Sequence, residues 1–149
     1  MQAALTLAVK ADAAGEIPIG AVVTDPTGRI IGEGWNQPES SYDPTAHAEM
    51  LAIRQACATL GNWRLTDCTL YVTLEPCPMC AWASIQARVG RVVFGAGNVT
   101  YGAAGGAVNL YQLTPAAHRI EVLGGIGDVA ATALLDGFFA KRRSPDSLH

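Results

Sequence analysis

The order of its segments limits this chain to few folds. After an N-terminal helix and a hairpin, strand-sized apolar runs alternate with helix-sized patterns. Residues 1–14 are rich in strong helix formers and Gly15 supplies a stop. Residues 17–24 are β-branched and apolar, Asp25-Pro26-Thr27-Gly28 is a turn signal, and residues 29–34 form a second strand, so the pair reads as a hairpin. A polar loop covers 36–42. Asp43-Pro44 then resembles an N-cap followed by Pro at the first helical position. The helix it opens runs to about Leu60, with Met50, Ile53, Ala56, Cys57 and Leu60 on one face and Gly61 as its stop. Residues 68–73 form a strand, Pro78 opens a helix carried through 80–87, and 91–94 is a strand of buried type. A short strand at 119–123, a last helix at 129–143 and a tail at 144–149 complete the chain. Alternation of this kind predicts the α/β class, a three-layer α/β/α sandwich in a single domain spanning 1–149.

Composition excludes several functions. The 149 residues suffice for a real core, so neither a disulfide nor a metal is needed simply to hold a fold. Half the residues are hydrophobic and 15% are charged, which rules out a disordered chain. No run of about 20 apolar residues occurs, so no membrane span is expected. The N-terminal segment carries Lys10 and Asp12 and lacks the basic-then-apolar order of a secretory signal, so the expected location is the cytoplasm. The net charge of −3 means that any nucleic-acid partner must meet a local basic patch, for which Lys141-Arg142-Arg143 is the candidate. The same three residues have a plainer role, because cations favour a helix C-terminus. Cysteines lie at 57, 68, 77 and 80. Disulfides are not expected in the cytoplasm, and the close pair Cys77/Cys80 points to metal or redox chemistry.

The chemistry concentrates in His47-Ala48-Glu49 and Pro76-Cys77-Pro78-Met79-Cys80, each at the start of a predicted helix. Imidazole and thiolate are good zinc ligands, and the Cys-x-x-Cys spacing lets two sulfurs meet one ion. A closed structural site needs a fourth ligand. Cys57 lies far along the helix from His47, roughly 15 Å on its axis. Cys68 begins a strand that reaches the site only at its other end. His47, Cys77 and Cys80 therefore make a three-ligand zinc site with an open position for water, which is the catalytic pattern. Glu49, two residues from the ligand histidine, is placed to take a proton from that water and pass it to a leaving amine.

His-x-Glu followed by Pro-Cys-x-x-Cys resembles the signature of the zinc nucleobase deaminases. More of the chain, from about Leu5 to Arg143, is similar to the bacterial tRNA-specific adenosine deaminases of the cytidine deaminase superfamily. The carrying stretches are Ile17-Pro18-Ile19-Gly20-Ala21-Val22, Gly32-Glu33-Gly34-Trp35-Asn36, Asp43-Pro44-Thr45-Ala46-His47-Ala48-Glu49, Thr69 through Cys77, and Gly90-Arg91-Val92-Val93-Phe94-Gly95-Ala96, with Phe138-Phe139 and Arg142-Arg143 near the end. The resemblance implies a five-stranded mixed sheet between helices, a homodimer, one zinc ion per chain, and hydrolysis of adenosine to inosine at the tRNA anticodon wobble position. It implies that Asn36 and the Ala48 backbone hold the base edge, that the Cys77 N–H helps position the attacking oxygen, and that Phe139, Arg142 and Arg143 contact the tRNA. Where the family usually has an acidic residue and then Lys, this chain has Asn98 and Thr100. Small bacterial guanine deaminases also resemble the two motifs, including Pro78, so deamination of guanine or another small free base is the alternative.

Other features have bland readings beside sharp ones. Asn36 can stabilise a turn. Glu75 is expected to bond backbone groups that shape its loop, and Cys57 and Cys68 to be small buried hydrophobes. His118 has no partner at metal spacing. Trp35, Trp63 and Trp82 suit core or dimer packing better than stacking on bases, with Trp82 placed to narrow the pocket rim or fill a dimer interface.

Overall fold

The structure, a computed structural model, describes residues 1–143, and the tail expected over 144–149 lies outside the described residues. Five strands form one mixed sheet: β1 (Gly20–Thr24), β2 (Ile30–Trp35), β3 (Thr69–Leu74), β4 (Arg91–Ala96) and β5 (Glu121–Leu123), in the order β2-β1-β3-β4-β5. β1 pairs antiparallel with β2 and β3, whereas β3, β4 and β5 run parallel. The helices are α1 (Gln2–Ala13), a single-turn α2 (Pro38–Ser41), α3 (Ala48–Leu60), α4 (Pro78–Gln86) and α5 (Asp128–Arg143). α1 and α5 touch each other and cover one face, while α3 and α4 touch each other on the opposite face. The expected three layers and mixed sheet are both present.

The main core lies between the sheet and α3/α4. Ala21, Val23, Leu70, Val72, Val92 and Phe94 meet Ala48, Ala52, Ile53, Ala56 and Ala81 there. The helix side of this interface is mostly alanine, and the sheet side thins to glycine where α3 crosses β2. A Cβ at Gly32 would lie 2.2 Å from the Ala52 carbonyl oxygen, and one at Gly34 would lie 2.3 Å from that of Ala48. Alternate strand residues share a face, so these two glycines let backbone rest on backbone along the first half of α3.

Two local expectations are corrected. Asp43-Pro44 does not open α3. Asp43 Oδ1 accepts hydrogen bonds from the Thr45 N–H at 2.8 Å and the Thr45 hydroxyl at 2.7 Å, closing an Asx turn. The helix starts at Ala48 with His47 as its N-cap residue. The loop expected over 36–42 contains α2, which ends at Tyr42 with φ 53°. Two short 3-10 turns, Leu110–Leu113 and Ala116–His118, lie in the segment before β5. Among the described residues no helix is long and apolar enough to cross a membrane.

Two glycine substitutions should therefore act in opposite directions. Gly34→Ala, which drives a Cβ into the Ala48 carbonyl, should cost about 2 kcal/mol or more in urea unfolding. Gly137→Ala, inside α5 with nothing within 4 Å of the new Cβ, should stabilise by about 0.5–1 kcal/mol.

Candidate metal centre and pocket

The parallel strands β3 and β4 both end on the same side of the sheet, and the site lies beyond those ends. Leu74 leads through Glu75-Pro76 to Cys77, the N-cap residue of α4, with Pro78 in the first turn. His47 holds the same position on α3. Both residues have extended backbone, φ/ψ −75/150° at His47 and −71/170° at Cys77, so each helix begins immediately after a donor residue. Two helix N-termini thus converge on one spot, and their dipoles favour anionic sulfur and oxygen there.

His47 Nδ1 lies 3.5 Å from Cys77 Sγ and 3.4 Å from Cys80 Sγ. All three donor atoms fall within 4.8 Å of one another. A tetrahedral zinc ion with bonds of about 2.0–2.1 Å to nitrogen and about 2.3 Å to sulfur would hold such donors about 3.5 Å apart. The side chains therefore fit that ion without rearrangement. Cys57 and Cys68 stand outside the group, as expected. Cys57 Sγ contacts the Trp63 carbonyl at 3.6 Å, and Cys68 is buried at the far end of β3.

Titration behaviour follows from the same crowding. The hydrogen bond with the Cys80 thiol and the contact with His47 draw Cys77 down to about 4, while the bond to Cys77 and burial push Cys80 up. The Cys77 contact also raises His47. The pair is a thiolate braced by a thiol, and a cation would take the place of the shared protons. Glu49 sits in the first turn of α3, 4% exposed, and burial pushes its carboxyl up to about 7. Such a value suits a group that must both accept and return a proton near neutrality.

His47, Glu49 and Cys77 face a pocket of about 720 Å³, with Cys80 fully buried behind them. Asn36, His47, Glu49 and Cys77 form its floor, and Asn36 is 5% exposed at the end of β2. Ile17, Ile19, Pro38 and Leu135 form apolar walls, and residues 97–101 form the remaining side. Phe139 stands at the mouth, where a second hollow of about 270 Å³, lined also by Phe138 and Arg142, continues the first. The Phe138 and Phe139 rings meet edge to face at 5.3 Å. Arg142 lies 4.1 Å over the Phe138 ring and donates to the Gly15 carbonyl, while Lys141 pairs with Asp12 at 3.6 Å. Lys141 and Arg142 therefore fasten α5 to α1 and the residues after it, Arg142 also lines the second hollow, and Arg143 is exposed. Asn98 Oδ1 accepts from the N–H groups of Thr100 and Tyr101 at 3.2 and 3.0 Å. Asparagine closes this turn with the acceptor an aspartate would offer, but without the charge.

Ala48 follows His47 at the head of α3 and is fully buried. The three tryptophans lie outside the pocket lining. Lys10 stands 4.1 Å over Trp35, Arg64 stands 4.2 Å over Trp63, and Trp82 is 43% exposed on α4. His118 is exposed beside Arg88. Sequence reasoning missed Glu16, which is buried and accepts from the Ser40 N–H at 2.7 Å and the Glu39 N–H at 3.4 Å. No local pattern marks it, because its partners are backbone groups more than twenty residues away.

Comparison with known proteins adds the following. The family model for the cytidine and deoxycytidylate deaminase zinc-binding region matches residues 1–96. A tRNA-specific adenosine deaminase of Haemophilus influenzae is 47% identical over 143 residues, covering 96% of this chain and 83% of that protein. A solved structure from work on A-to-I editing by tRNA:A34 deaminases at the wobble position is similar with a TM-score of 0.82 and 38% identity, over 91% of this chain and 97% of that one. A guanine deaminase from Nitrosomonas europaea is similar with a TM-score of 0.80 and 29% identity, over 92% and 81%.

Two outcomes follow from the site. Cys80→Ala removes one of three donors and should lose the metal, and a purified variant that kept about one zinc per chain by elemental analysis would refute the ligand set. In the metal-free protein, the Glu49 carboxyl is raised from 4.5 to about 7. The folded state then binds that proton more tightly than the unfolded state, and stability is lost as pH rises through about 7. Glu49→Gln should therefore raise Tm by a few degrees at pH 8 and by little at pH 4.5.

Proposed function

The chain belongs to the cytidine and deoxycytidylate deaminase family, and from that premise we propose that it converts adenosine to inosine at the wobble position of a tRNA anticodon by hydrolysis. The observation that carries the chemistry is the placement of the buried Glu49 in the same pocket as the His47/Cys77/Cys80 donor set. Adenosine within tRNA is favoured over free guanine by 47% and 46% identity to two tRNA-specific enzymes, against 39% and 29% to guanine deaminases of Bacillus subtilis and Nitrosomonas europaea, and by the TM-score of 0.82 to the tRNA:A34 deaminase against 0.63 and 0.80 to those two. The open mouth is consistent with a base that remains attached to a polynucleotide.

Zinc, when bound by His47, Cys77 and Cys80, supplies the Lewis acidity that makes water a nucleophile near neutral pH. The chain's own groups do the rest. An anticodon loop is single-stranded, so its base can enter the pocket without melting a duplex. Asn36 and the Ala48 backbone hold the edge of the base, and the apolar walls shut out bulk water. The Cys77 N–H, at the head of α4, helps position the attacking oxygen. Glu49 takes one proton from water as oxygen attacks the ring carbon bearing the amine, and gives it to the adjacent ring nitrogen. It then carries the second proton from that oxygen to the amine. Ammonia leaves and the carbonyl of inosine forms, so water and adenosine are consumed in equal number.

Phe139, which lines both hollows, Arg142, which lines the second, and the exposed Arg143 at the end of α5 are the groups we assign to flanking nucleotides. We take the working unit to be a cytoplasmic homodimer with one zinc per chain. α4 packs against the 3-10 turn at Leu110–Leu113, and this part of the surface leaves Trp82, Val108 and Leu113 exposed, as an interface between copies would require.

The deciding assay is inosine formation in a tRNA whose anticodon begins with adenosine, with ammonia release from free guanine, cytosine and adenosine measured in parallel. Inosine at the wobble position is expected. Consumption of a free base without inosine would overturn the substrate assignment and leave the metal site standing. Glu49→Ala should keep zinc yet lower kcat/KM about a thousandfold or more, and near-normal turnover would remove Glu49 from its role.

A further inference from the structure

Residues 97–101 supply one wall of the pocket, and the segment 97–106 to which they belong contains no regular secondary structure. They are wrapped around a single side chain. Glu75, at the end of β3, is 4% exposed, and its own N–H donates to the Ala96 carbonyl at 2.8 Å. Its Oε1 accepts from the Asn98 N–H at 3.1 Å, and its Oε2 accepts from the N–H groups of Ala104 at 2.9 Å and Gly106 at 2.8 Å. Three backbone donors spread over nine residues thus converge on one carboxylate, which stands in for the missing strand partner. The wrap is tight: a Cβ at Gly102 would lie 2.2 Å from Oε2, and one at Gly106 would lie 2.7 Å from Oε1.

We propose that Glu75 is a positioning residue for the polynucleotide substrate, pinning residues 98–106 so that Val99, Thr100 and Tyr101 present a fixed rim to the nucleotides flanking the reacting base. Val99 and Tyr101 are 85% and 68% exposed, yet the turn that carries them is fastened at both ends and closed internally by Asn98. Large exposed side chains held on a rigid turn lose little entropy when a ligand arrives. Glu75 acts through that turn and takes no part in proton transfer. The proposal rests on the reading of the substrate as tRNA.

The test is Glu75→Gln, assayed on an anticodon stem-loop with zinc content and amide hydrogen exchange measured on the same preparation. An amide in place of the carboxylate turns an NH2 toward a backbone N–H. Exchange at residues 98, 104 and 106 should accelerate about tenfold or more. KM for the stem-loop should rise roughly tenfold, with kcat within about threefold and zinc retained. Gly102→Ala attacks the same carboxylate from the loop side and should move the same parameters, which covers the case in which Glu75→Gln fails to fold. Glu75→Asp, which keeps the charge with a shorter reach, should recover part of the loss in KM. Loss of zinc, a fall in kcat at constant KM, or faster exchange with unchanged kinetics would each overturn the proposal. Wild-type protein that consumes guanine but not the stem-loop would instead overturn the substrate reading itself.

Discussion

Backbone contact between α3 and β2 is the constraint on which the rest of the molecule depends. Helix and sheet usually keep a layer of side chains between them. Here Gly32 and Gly34 remove that layer, and the carbonyls of Ala48 and Ala52 lie where strand Cβ atoms would otherwise be. Such an interface has little freedom to slide, because close-packed interiors transmit small displacements. The head of α3 is therefore fixed against the sheet, and with it His47 and Glu49. α4 is fixed differently, by the short run from the end of β3 through Glu75 and Pro76 to Cys77. Donors thirty residues apart in the chain come within bonding distance of one ion because each is tied to the sheet by only a few rigid links.

Three buried glutamates divide the work of the site. Glu16 accepts from N–H groups in the first turn of α2 and Glu75 from those of the loop 98–106, and both satisfy donors that would be costly to leave bare. Glu49 is the exception. It is buried near two sulfurs, and its raised pKa records the cost of ionising it there. Glu16 and Glu75 hold backbone groups in place, whereas Glu49 is a carboxyl whose ionisation burial disfavours beside the three donors. Residues of one type thus meet different surroundings in the two adjoining hollows.

Much of this was legible in the sequence. His-x-Glu and Cys-x-x-Cys announced the donor set, because ligand chemistry and spacing are local properties. The strands and long helices were legible from hydrophobic period and from glycine stops such as Gly15 and Gly61. What the sequence concealed was decided by contacts at long range. Asp43-Pro44 has the form of a helix start, but the Thr45 hydroxyl and N–H close the aspartate into a turn and the helix waits until Ala48. Glu16 carried no pattern, since its partners are the amides of α2. Lys141-Arg142-Arg143 read either as a phosphate patch or as cations at a helix C-terminus, and neither reading foresaw that Asp12 of α1 and the Gly15 carbonyl beyond it would take up Lys141 and Arg142. Asn98 read as a departure from the family, yet it closes its turn through the same acceptor oxygen an aspartate would use.

The wrapping of residues 97–106 around one carboxylate also limits how this part of the protein can change over generations. A side chain at Gly102 or Gly106 must displace Glu75, and a change at Glu75 strands the amides that those glycines bring close. None of the three can drift alone without passing through a damaged intermediate, so they form a single heritable unit. Val99, Thr100 and Tyr101 are carried on the same turn but touch none of these atoms in the hydrogen-bond scheme. They are free to vary one at a time. An anchored turn that carries three exposed side chains is an arrangement in which each of them can be replaced singly while the anchor beneath, and the His47/Cys77/Cys80 group, remain as they were.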